Sequence, residues 1–350
     1  MLFLRSQNVI GLDIGTSSIK LVEIENLKGG YKLTNFGIAK LPRDTIVNGT
    51  IVHAEPVVQA IKNLISNLKL KNKNVAISIS GHPVIMKKIT LPLMTEEELE
   101  NTIVVEAEQY IPFALDEVNI DFQILGMKEE KDNQMNVMLV AAKKAMISEY
   151  ISVVQQAGLK AAIVDIDVFA LENMFNANYT PEENINVALI DIGASVTNIN
   201  IIKNGTSQFT RDIFMGGYQI TEEIQKQLSI SYDEAESLKC GEKIEGINQE
   251  TLESIINKSS AAIATEIHRT LDFFSSSTYA EISQIYLSGG ASKTAGLKKT
   301  LENKISISMD YANPFASITY DKNTFDEEYI KEFSPVSAIG VGLALRSIGD

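Results

Sequence analysis

The chain is short of cysteine and of positive charge, and each shortage excludes a class of function. Its single thiol, Cys240, excludes an internal disulfide and a zinc site built from cysteines, and it favours a reducing compartment. The 31 lysines and arginines are outnumbered by 45 acidic residues, which gives a net charge of −14. This balance argues against binding to nucleic acid or to anionic lipid through electrostatic attraction alone.

Long apolar runs are also missing. The N-terminal stretch before Arg5 is too short for a secretory signal, and no run approaches the ~20 residues of a membrane span. We therefore expect a cytoplasmic protein. At 350 residues, 45% of them hydrophobic, the chain is long enough for about two domains with substantial cores.

A hairpin-like stretch at residues 11–20 places an acid, a turn of small residues and a lysine between two apolar runs. Asp13 could hold Mg²⁺ through water, and Lys20 could supply charge to the β- and γ-phosphates of a nucleotide. No Lys-Ser/Thr pair opens a helix, so this is not a Walker loop. The turn consists of residues whose backbone N–H groups can point at one anion: Gly15, Thr16, Ser17 and Ser18.

A second copy of the pattern lies in the other half of the chain, where Asp191 follows Asp13 by 178 residues. Such a repeat predicts two similar lobes, each presenting an acidic hairpin to a shared cleft. Near the C-terminus, a third apolar run at 285–288 leads into a glycine-rich turn. The candidate ligand-contacting residues of these two later turns are Gly193, Ala194, Ser195, Thr197, Gly289, Gly290 and Ala291.

In these segments the chain resembles the actin, Hsp70 and sugar-kinase superfamily of ATP-binding proteins. The hairpins resemble its two phosphate loops, and residues 287–290 resemble its adenosine loop. Apolar runs at 168–171 and 338–344 resemble the two connecting helices that cross between lobes. The resemblance implies an α/β, actin-like two-lobed ATPase fold made of duplicated RNase H-like domains, with ATP and Mg²⁺ bound in the cleft.

Residues 82–157 show a β-β-α-β-β-α order that predicts an α+β insert in the first lobe. Its helix opens with a capping box at 95–98 and stops at Pro112, and a polar loop is expected at 128–133. Residues 313–334 lack a clear period and are expected to form short strands and loops of the second lobe. The predicted domains are a first-lobe core (1–81 and 158–185), the insert (82–157), a second-lobe core (186–216 and 280–350) and a second-lobe helical subdomain (217–279).

An insert at this position resembles FtsA of cell division and the PilM family of type IV pilus assembly. Residues 19–23, 106–113 and 266–274 favour PilM, and nothing before Asp350 fits the C-terminal amphipathic helix that is typical of FtsA. The PilM resemblance implies an ATP-binding cytoplasmic scaffold at the inner membrane. It would bind the N-terminal cytoplasmic tail of PilN, a single-span membrane protein, and would contact the membrane only through that partner.

Two further motifs resemble FtsA and PilM. Gly216 and Gly217 precede a second-lobe helix whose first backbone amides could approach the phosphates. Glu236 and Lys239 fit an Ala-Glu-x-x-Lys pattern, which implies contacts to ribose or adenine. As an isolated i, i+3 ion pair on a solvated face the second motif would mean little, but its position between the second hairpin and the adenosine loop favours the functional interpretation.

The PilM resemblance also implies a groove for the PilN tail between the first lobe and the insert. Its predicted lining is apolar enough to receive an extended peptide: Val84, Ile85, Met86, Tyr110, Ile111, Pro112 and Phe113. The alternative, that Ile111 and Phe113 anchor a helix end in the core of the insert, stays open. Other components of the pilus platform and a second copy of the chain are further candidate partners.

Asp13 and Asp191 are the candidate catalytic and Mg²⁺-positioning residues. Hydrolysis also needs a water held in line with the γ-phosphate, and Ala194 stands where actin has a further acid. We therefore expect slow or negligible hydrolysis, with ATP closing the lobes and so setting the shape of the groove. Asp165 or Asp167 could position water or Mg²⁺, or cap the first connecting helix. An FtsA-like filament-forming protein and, with less support, a small-molecule kinase remain alternatives.

Overall fold

The computed structural model describes residues 7–127 and 133–348, so the predicted loop at 128–133 lies, except for Asn133, outside the described residues. The chain folds into two lobes, each built on a mixed sheet. The first-lobe sheet has six strands, in the order Lys160–Ile166, Asn74–Ile79, Ile10–Ile14, Ser18–Leu27, Gly30–Lys40 and Ile318–Thr319. Two short pairs accompany it: Gln7–Asn8 with Ser347–Ile348, and Ile46–Val47 with Thr50–Ile51.

Two helices cover the first-lobe sheet. Helix Ala54–Leu68 buries one stripe, which includes Val57, Ile61 and Leu64, as its 3.6-residue period predicts. Helix Lys144–Gln156 buries Tyr150 and Val153 in the same core. The sequence analysis placed this second helix in the insert at 82–157, but it packs in the first-lobe core. An amphipathic period shows that one face of a helix is buried, but not which sheet that face packs on.

The insert is therefore a β-α-β-β unit that ends at Lys143. Its antiparallel sheet has the strand order Val84–Pro92, Gln134–Lys143 and Val118–Met127, and helix Glu96–Ala107 packs on one face. The predicted capping box is present, since Thr95 and Glu98 exchange both hydrogen bonds. A short 3₁₀ turn, Leu115–Glu117, leads into strand Val118–Met127.

The second lobe has a five-stranded sheet with the order Thr206–Ile213, Thr197–Lys203, Asn186–Ile192, Ile282–Ser288 and Ser308–Tyr311. The core of the lobe lies between this sheet and its helices. Those helices are Gly217–Leu228, Tyr232–Lys239, Gln249–Thr278 and Leu297–Lys304, with a 3₁₀ turn at Gly290–Lys293.

Residues 313–334 differ from their prediction as short strands and loops of the second lobe. Strand Ile318–Thr319 pairs in parallel with Gly30–Lys40 of the first lobe, and Glu327–Phe333 is helical. Phe315 packs edge-on against Phe36 of the first lobe, with ring centroids 5.9 Å apart. A two-residue strand carries no periodicity, so only packing could assign it to a lobe.

Two connecting helices, Asp167–Asn178 and Ala338–Ala344, cross between the lobes. They touch through backbone: a Cβ added to Gly342 would lie 1.7 Å from the carbonyl oxygen of Ala170. A Cβ on Gly11 would likewise lie 2.0 Å from the carbonyl oxygen of Gly340. Only glycine permits this approach, which brings the turns of the two sheets to the same cleft.

Candidate functional site

A cleft of about 560 Å³ lies between the lobes and is lined by both hairpins. Its volume falls within the range of roughly 300–1,000 Å³ that is usual for ligand pockets. Most of the predicted ligand-contacting residues line it: Asp13, Gly15, Thr16, Ser17, Ser18, Lys20, Asp191, Gly193, Ala194, Ser195, Glu236, Lys239, Gly289, Gly290 and Ala291.

The turns of the two hairpins are closed in the same way and meet in the cleft. The N–H of Gly15 donates to the carbonyl of Ser18 at 3.2 Å, and the N–H of Gly193 donates to the carbonyl of Val196 at 2.9 Å. The Thr16 and Ser195 hydroxyls are 2.8 Å apart, within hydrogen-bond distance across the cleft. The repeat seen in the sequence therefore brings two equivalent turns face to face.

These turns present backbone donors that the protein itself does not use. Within residues 7–127 and 133–348, the backbone N–H groups of Thr16, Ser17, Ala194 and Ser195 form no hydrogen bond. Successive unpaired N–H groups in a turn form a concave site for an anion. The arrangement fits a phosphate chain gripped from both sides.

The acids of the two hairpins lie in different environments. Lys20 Nζ pairs with Asp13 Oδ2 at 3.1 Å. Asp191 accepts a hydrogen bond from the Ser288 hydroxyl at 2.8 Å, and its burial raises the pKa of the carboxyl to about 6. A bound cation near Asp191 would favour its ionised form.

The sequence left open whether Asp165 or Asp167 faces the cleft. Asp167, at the start of the first connecting helix, is the one that lines it. The Ser78 hydroxyl donates to Asp167 Oδ1 at 2.5 Å. Burial, reinforced by the charge of Asp13, raises the pKa of Asp167 to about 7. Asp165 lies outside the cleft lining, and its Oδ2 is 3.4 Å from Arg346 Nε.

The acids do not form a complete metal site by themselves. In the described part of the chain, no group of three or more His, Cys, Asp or Glu side chains is arranged to hold a metal ion. Mg²⁺ usually takes only one or two protein carboxylates and completes its shell with water and phosphate oxygens. The carboxylates of Asp13 and Asp191 fit that pattern, which requires the nucleotide to be present.

The Glu236–Lys239 motif lies at the wall of the cleft, with Lys239 buried and Glu236 partly exposed. Lys239 is only 6% exposed, and its Nζ lies 2.7 Å from Glu236 Oε2 and 3.0 Å from the hydroxyl of Thr221. The Thr221 hydroxyl in turn lies 2.6 Å from Glu236 Oε2. This triad fixes both charged side chains at the cleft, unlike a solvated i, i+3 ion pair.

The third turn closes the cleft from the second lobe. Gly289 has φ +85°, and a Cβ there would lie 2.4 Å from the carbonyl oxygen of Ile192. Its N–H donates to the carbonyl of Pro335 at 2.8 Å. Gly289 is thus required by its backbone, whereas a Cβ at Gly290 would have nothing within 4 Å and leaves open space for a ligand.

Three predicted contact residues, Thr197, Gly216 and Gly217, lie behind the cleft wall instead of lining it. The N–H groups of Gly217 and Tyr218 donate to the carbonyls of Gly193 and Ala194, at 2.9 and 2.8 Å. The Thr197 hydroxyl donates to the carbonyl of Met215 at 2.8 Å. The prediction that amides at this helix start approach the phosphates is therefore corrected: those amides hold the second hairpin in place.

Sequence reasoning missed several cleft residues, of which Arg43 is the most informative. Its guanidinium lies 4.6 Å from the ring centroid of Tyr232 and forms an ion pair with Glu222. It belongs to the first lobe and both partners to the second, so the contact spans the mouth of the cleft. No local motif surrounds Arg43, and only its contacts across the cleft could have identified it.

The predicted peptide groove stays a prediction, and the burial of two of its residues removes them from its lining. Val84 lies in the first-lobe core and Ile111 in the core of the insert, so neither is available to a peptide. Tyr110 and Phe113 are half-buried on the insert. Lys87 Nζ lies 4.7 Å from the Tyr110 ring centroid, and Lys143 Nζ lies 4.5 Å from that of Phe113.

Comparison with known proteins places the chain in one family. The family model described as type IV pilus assembly protein PilM matches residues 11–348. The fold is similar to that of a solved PilM-PilN type IV pilus biogenesis complex, with 26% identity and a TM-score of 0.89 over 99% of this chain and 100% of that one. The resemblance stated from the sequence is confirmed.

More distant similarities support the predicted actin-like fold. FtsA of Bacillus subtilis (strain 168) is 26% identical over 259 residues, which cover 66% of this chain and 57% of that protein. The chain thus spans little more than half the length of this relative. The ethanolamine utilization protein EutJ of Carboxydothermus hydrogenoformans shares the fold, with 13% identity and a TM-score of 0.59 over 98% of this chain and 90% of that one. None of the helices described here is both long and apolar enough to cross a membrane.

Proposed function

The chain belongs to the PilM family of type IV pilus assembly proteins, and on that premise we propose that it is an ATP-binding cytoplasmic scaffold that docks the N-terminal tail of PilN. The observation that carries the nucleotide half of the proposal is the pair of facing turns with four unpaired N–H groups. The similar PilM-PilN complex supports the partner. PilN would then supply the contact with the inner membrane.

The cleft has a place for each part of Mg-ATP. The two turns and Lys20 would bind the phosphates, Glu236 and Lys239 would bind the ribose or adenine, and the open side of Gly290 would admit the nucleoside. Asp13 and Asp191 would hold Mg²⁺ through water. When bound, the ion would neutralise phosphate charge in the cleft.

We propose that hydrolysis is slow and that Asp167 orients the water that takes part in it. Asp167 lies in the cleft with its Oδ1 held by Ser78, and a pKa of about 7 allows it to accept and release a proton near neutral pH. Ala194 supplies no second acid at the other turn. Asp167→Asn should therefore abolish the residual ATPase activity while leaving the affinity for ATP within about threefold.

The proposed peptide site is the half-buried aromatic edge of the insert. Ile85, Met86, Tyr110, Pro112 and Phe113 remain candidates after Val84 and Ile111 are withdrawn. Lys87 and Lys143 lie over the two rings and place a positive charge beside each. The insert also touches the second lobe, where Lys88 Nζ donates to Gln208 Oε1 at 2.8 Å, so lobe closure would move the site.

The first experiment is a calorimetric titration of the protein with the N-terminal cytoplasmic peptide of PilN, with and without Mg-ATP. We expect saturable binding that weakens without nucleotide or in the Asp13→Ala/Asp191→Ala variant. Phe113→Ala should weaken it further, whereas Val105→Ala on the outer face of the insert, 71% exposed, is the matched control. Absence of peptide binding in both nucleotide states would refute the scaffold function.

The FtsA-like alternative is favoured by the 26% identity to the Bacillus protein. A filament-forming protein should sediment at high speed when Mg-ATP is added and should do so without any peptide. Electron microscopy of the same sample distinguishes filaments from amorphous aggregates. Filaments formed without peptide binding would replace the scaffold proposal with this one.

A further inference from the structure

A second pocket of about 300 Å³ lies on the second lobe and shares no lining residue with the nucleotide cleft. It forms where the end of the first connecting helix meets the sheet. Asp167 begins that helix in the cleft, and Phe175 lies near its other end at the pocket. Eight residues of helix separate Asp167 from Phe175, so these two residues lie about 12 Å apart along the helix axis.

Three aromatic rings form the floor and wall of this pocket. Phe175 is fully buried, and its ring is stacked on that of Tyr179 at 4.9 Å with an interplanar angle of 14°. The Tyr286 ring lies 4.8 Å from that of Tyr179 and edge-on to Phe175 at 5.2 Å. Both tyrosines are half-buried, and the Tyr179 hydroxyl is anchored by the N–H of Asn313 at 2.7 Å. The two half-buried tyrosine rings, held in place by Phe175, therefore offer a fixed aromatic surface to a ligand.

Two carboxylates complete the lining, and neither has a basic partner. Among residues 7–127 and 133–348, Glu182 and Asp310 form no ion pair. Gln284 donates to Asp310 Oδ2 at 3.0 Å, which holds that carboxylate beside Tyr286. Burial and the charge of Asp310 raise the pKa of the Tyr286 hydroxyl, in keeping with their proximity.

We propose that this pocket binds an arginine side chain of a protein partner. A cation over aromatic faces is attracted by their quadrupoles, and a planar guanidinium can stack on a ring while it donates two hydrogen bonds to a carboxylate. The volume is at the lower limit for ligand pockets, which suits one side chain better than a nucleotide. A net charge of −14 makes a basic partner electrostatically complementary and a second copy of the chain repulsive.

The test follows the methyl groups of Ile185 and Val187, which line the pocket, by ¹³C NMR of the full-length protein. The probe is the peptide acetyl-Gly-Arg-Gly-amide, and the control peptide carries citrulline, which has nearly the same shape without charge. We expect saturable shifts with the arginine peptide and at least about fivefold weaker binding of the citrulline peptide.

Variants separate the rings from the charge. Asp310→Asn should weaken the arginine peptide about fivefold, whereas Glu253→Gln, the same charge change on the exposed face of a distant helix, should not. Tyr286→Leu should abolish binding, and Tyr286→Phe, which keeps the ring, should preserve it. Thermal unfolding of each variant establishes that it is folded.

Three results would overturn the proposal. They are equal binding of the two peptides, the absence of saturable shifts with arginine, and tighter binding of tetramethylammonium than of the arginine peptide, which would mark a small-cation site. A change in sedimentation on Asp310→Asn would instead show that a second copy of the chain occupies the pocket. Nucleotide and PilN-peptide binding should be unaffected by these variants. The arginine-site proposal can therefore be refuted without refuting the proposed function, and the reverse also holds.

Discussion

The two hairpins of the cleft share one backbone design and differ in charge. In each, the acid is paired across the strands with the residue seven positions later: Lys20 opposite Asp13, and Asn198 opposite Asp191. Lys20 stays in the cleft, but Asn198 donates to Asp212 at 2.8 Å, and Asp212 accepts the N–H of Gly81 from the first lobe at 3.0 Å. The first copy presents a cation to the cleft, whereas the second helps to tie the lobes together.

The largest effect is expected where the lobes themselves are joined, because both hairpins depend on that crossing. Gly342→Ala would place a methyl group 1.7 Å from the Ala170 carbonyl oxygen and should cost about 3 kcal/mol or more of unfolding free energy. Gly290→Ala, with nothing within 4 Å of its Cβ, is the control and should change it by less than about 0.5 kcal/mol. Chemical denaturation measures both, and equal stabilities would contradict the observed packing.

The charge difference between the hairpins predicts unequal losses of ATP affinity. Lys20→Ala should weaken Mg-ATP binding by about 10- to 100-fold, the usual contribution of a charge-assisted hydrogen bond. Asn198→Ala should change affinity by less than about threefold, because its side chain bonds Asp212 and not the ligand. Titration with a fluorescent ATP analogue measures both. Similar losses in the two variants would show that the second hairpin also binds phosphate through this position.

Replacement of Asp191 and of Asp13 should change the free energy of unfolding of the nucleotide-free protein differently at pH 8. Burial raises the pKa of Asp191 to about 6, so the folded state holds its proton more tightly than the unfolded state does. The protonated carboxyl of Asp191 therefore stabilises the folded state below pH ~4, and this stabilisation is lost as the pH rises through 6. Asp191→Asn should therefore be more stable than the wild type at pH 8 by about 1–3 kcal/mol, with the difference shrinking towards pH 4.

Asp13→Asn is the matched comparison for that experiment. It removes the ion-pair partner of Lys20, which lies 3.1 Å away, and should therefore bring no gain in stability at pH 8. Thermal melts of both variants between pH 4 and pH 8 measure the difference. A gain in both variants, or in neither, would show that the two acids share one environment.

The smallest effect concerns the hydroxyl pair that joins the two turns. Thr16→Ala and Ser195→Ala each remove one hydroxyl of the 2.8 Å pair. A double-mutant cycle on the affinity for ATP should give a coupling energy of about 0.5–1 kcal/mol. Additive effects would mean that the two turns bind phosphate independently.

Much of the cleft was predictable because its residues are local and repeated. Asp13 and Asp191 stand in the same pattern of strand, acid, small-residue turn and strand, and a glycine such as Gly15 is needed at the same place in both turns. The capping box at Thr95 and the buried face of helix Ala54–Leu68 were predictable for the same reason, since each pattern lies within one element.

Errors arose where the decisive contact is distant in sequence. Helix Lys144–Gln156 has a clear buried face, but the sheet that it covers is set by the whole first lobe. Gly217 was placed against phosphate, yet its amide is taken by Gly193. Val84 was assigned to a surface groove although it lies in the first-lobe core, and for Ile111 burial favours the alternative that it packs in the core of the insert.

By itself, the sequence determined the duplicated hairpins and the order of the lobes, because strand periodicity, turn chemistry and acid placement are local properties. The family was indicated by resemblance to known sequences. Only the tertiary structure decided that Lys20 pairs with Asp13 in the cleft while the Asn198 amide is bonded to Asp212, that Arg43 spans the cleft to Tyr232, and that Asp167 rather than Asp165 lines the cleft. The physical reason is that the walls of the cleft come from distant segments, as Arg43 and Tyr232 illustrate, and these segments meet only when the two connecting helices cross.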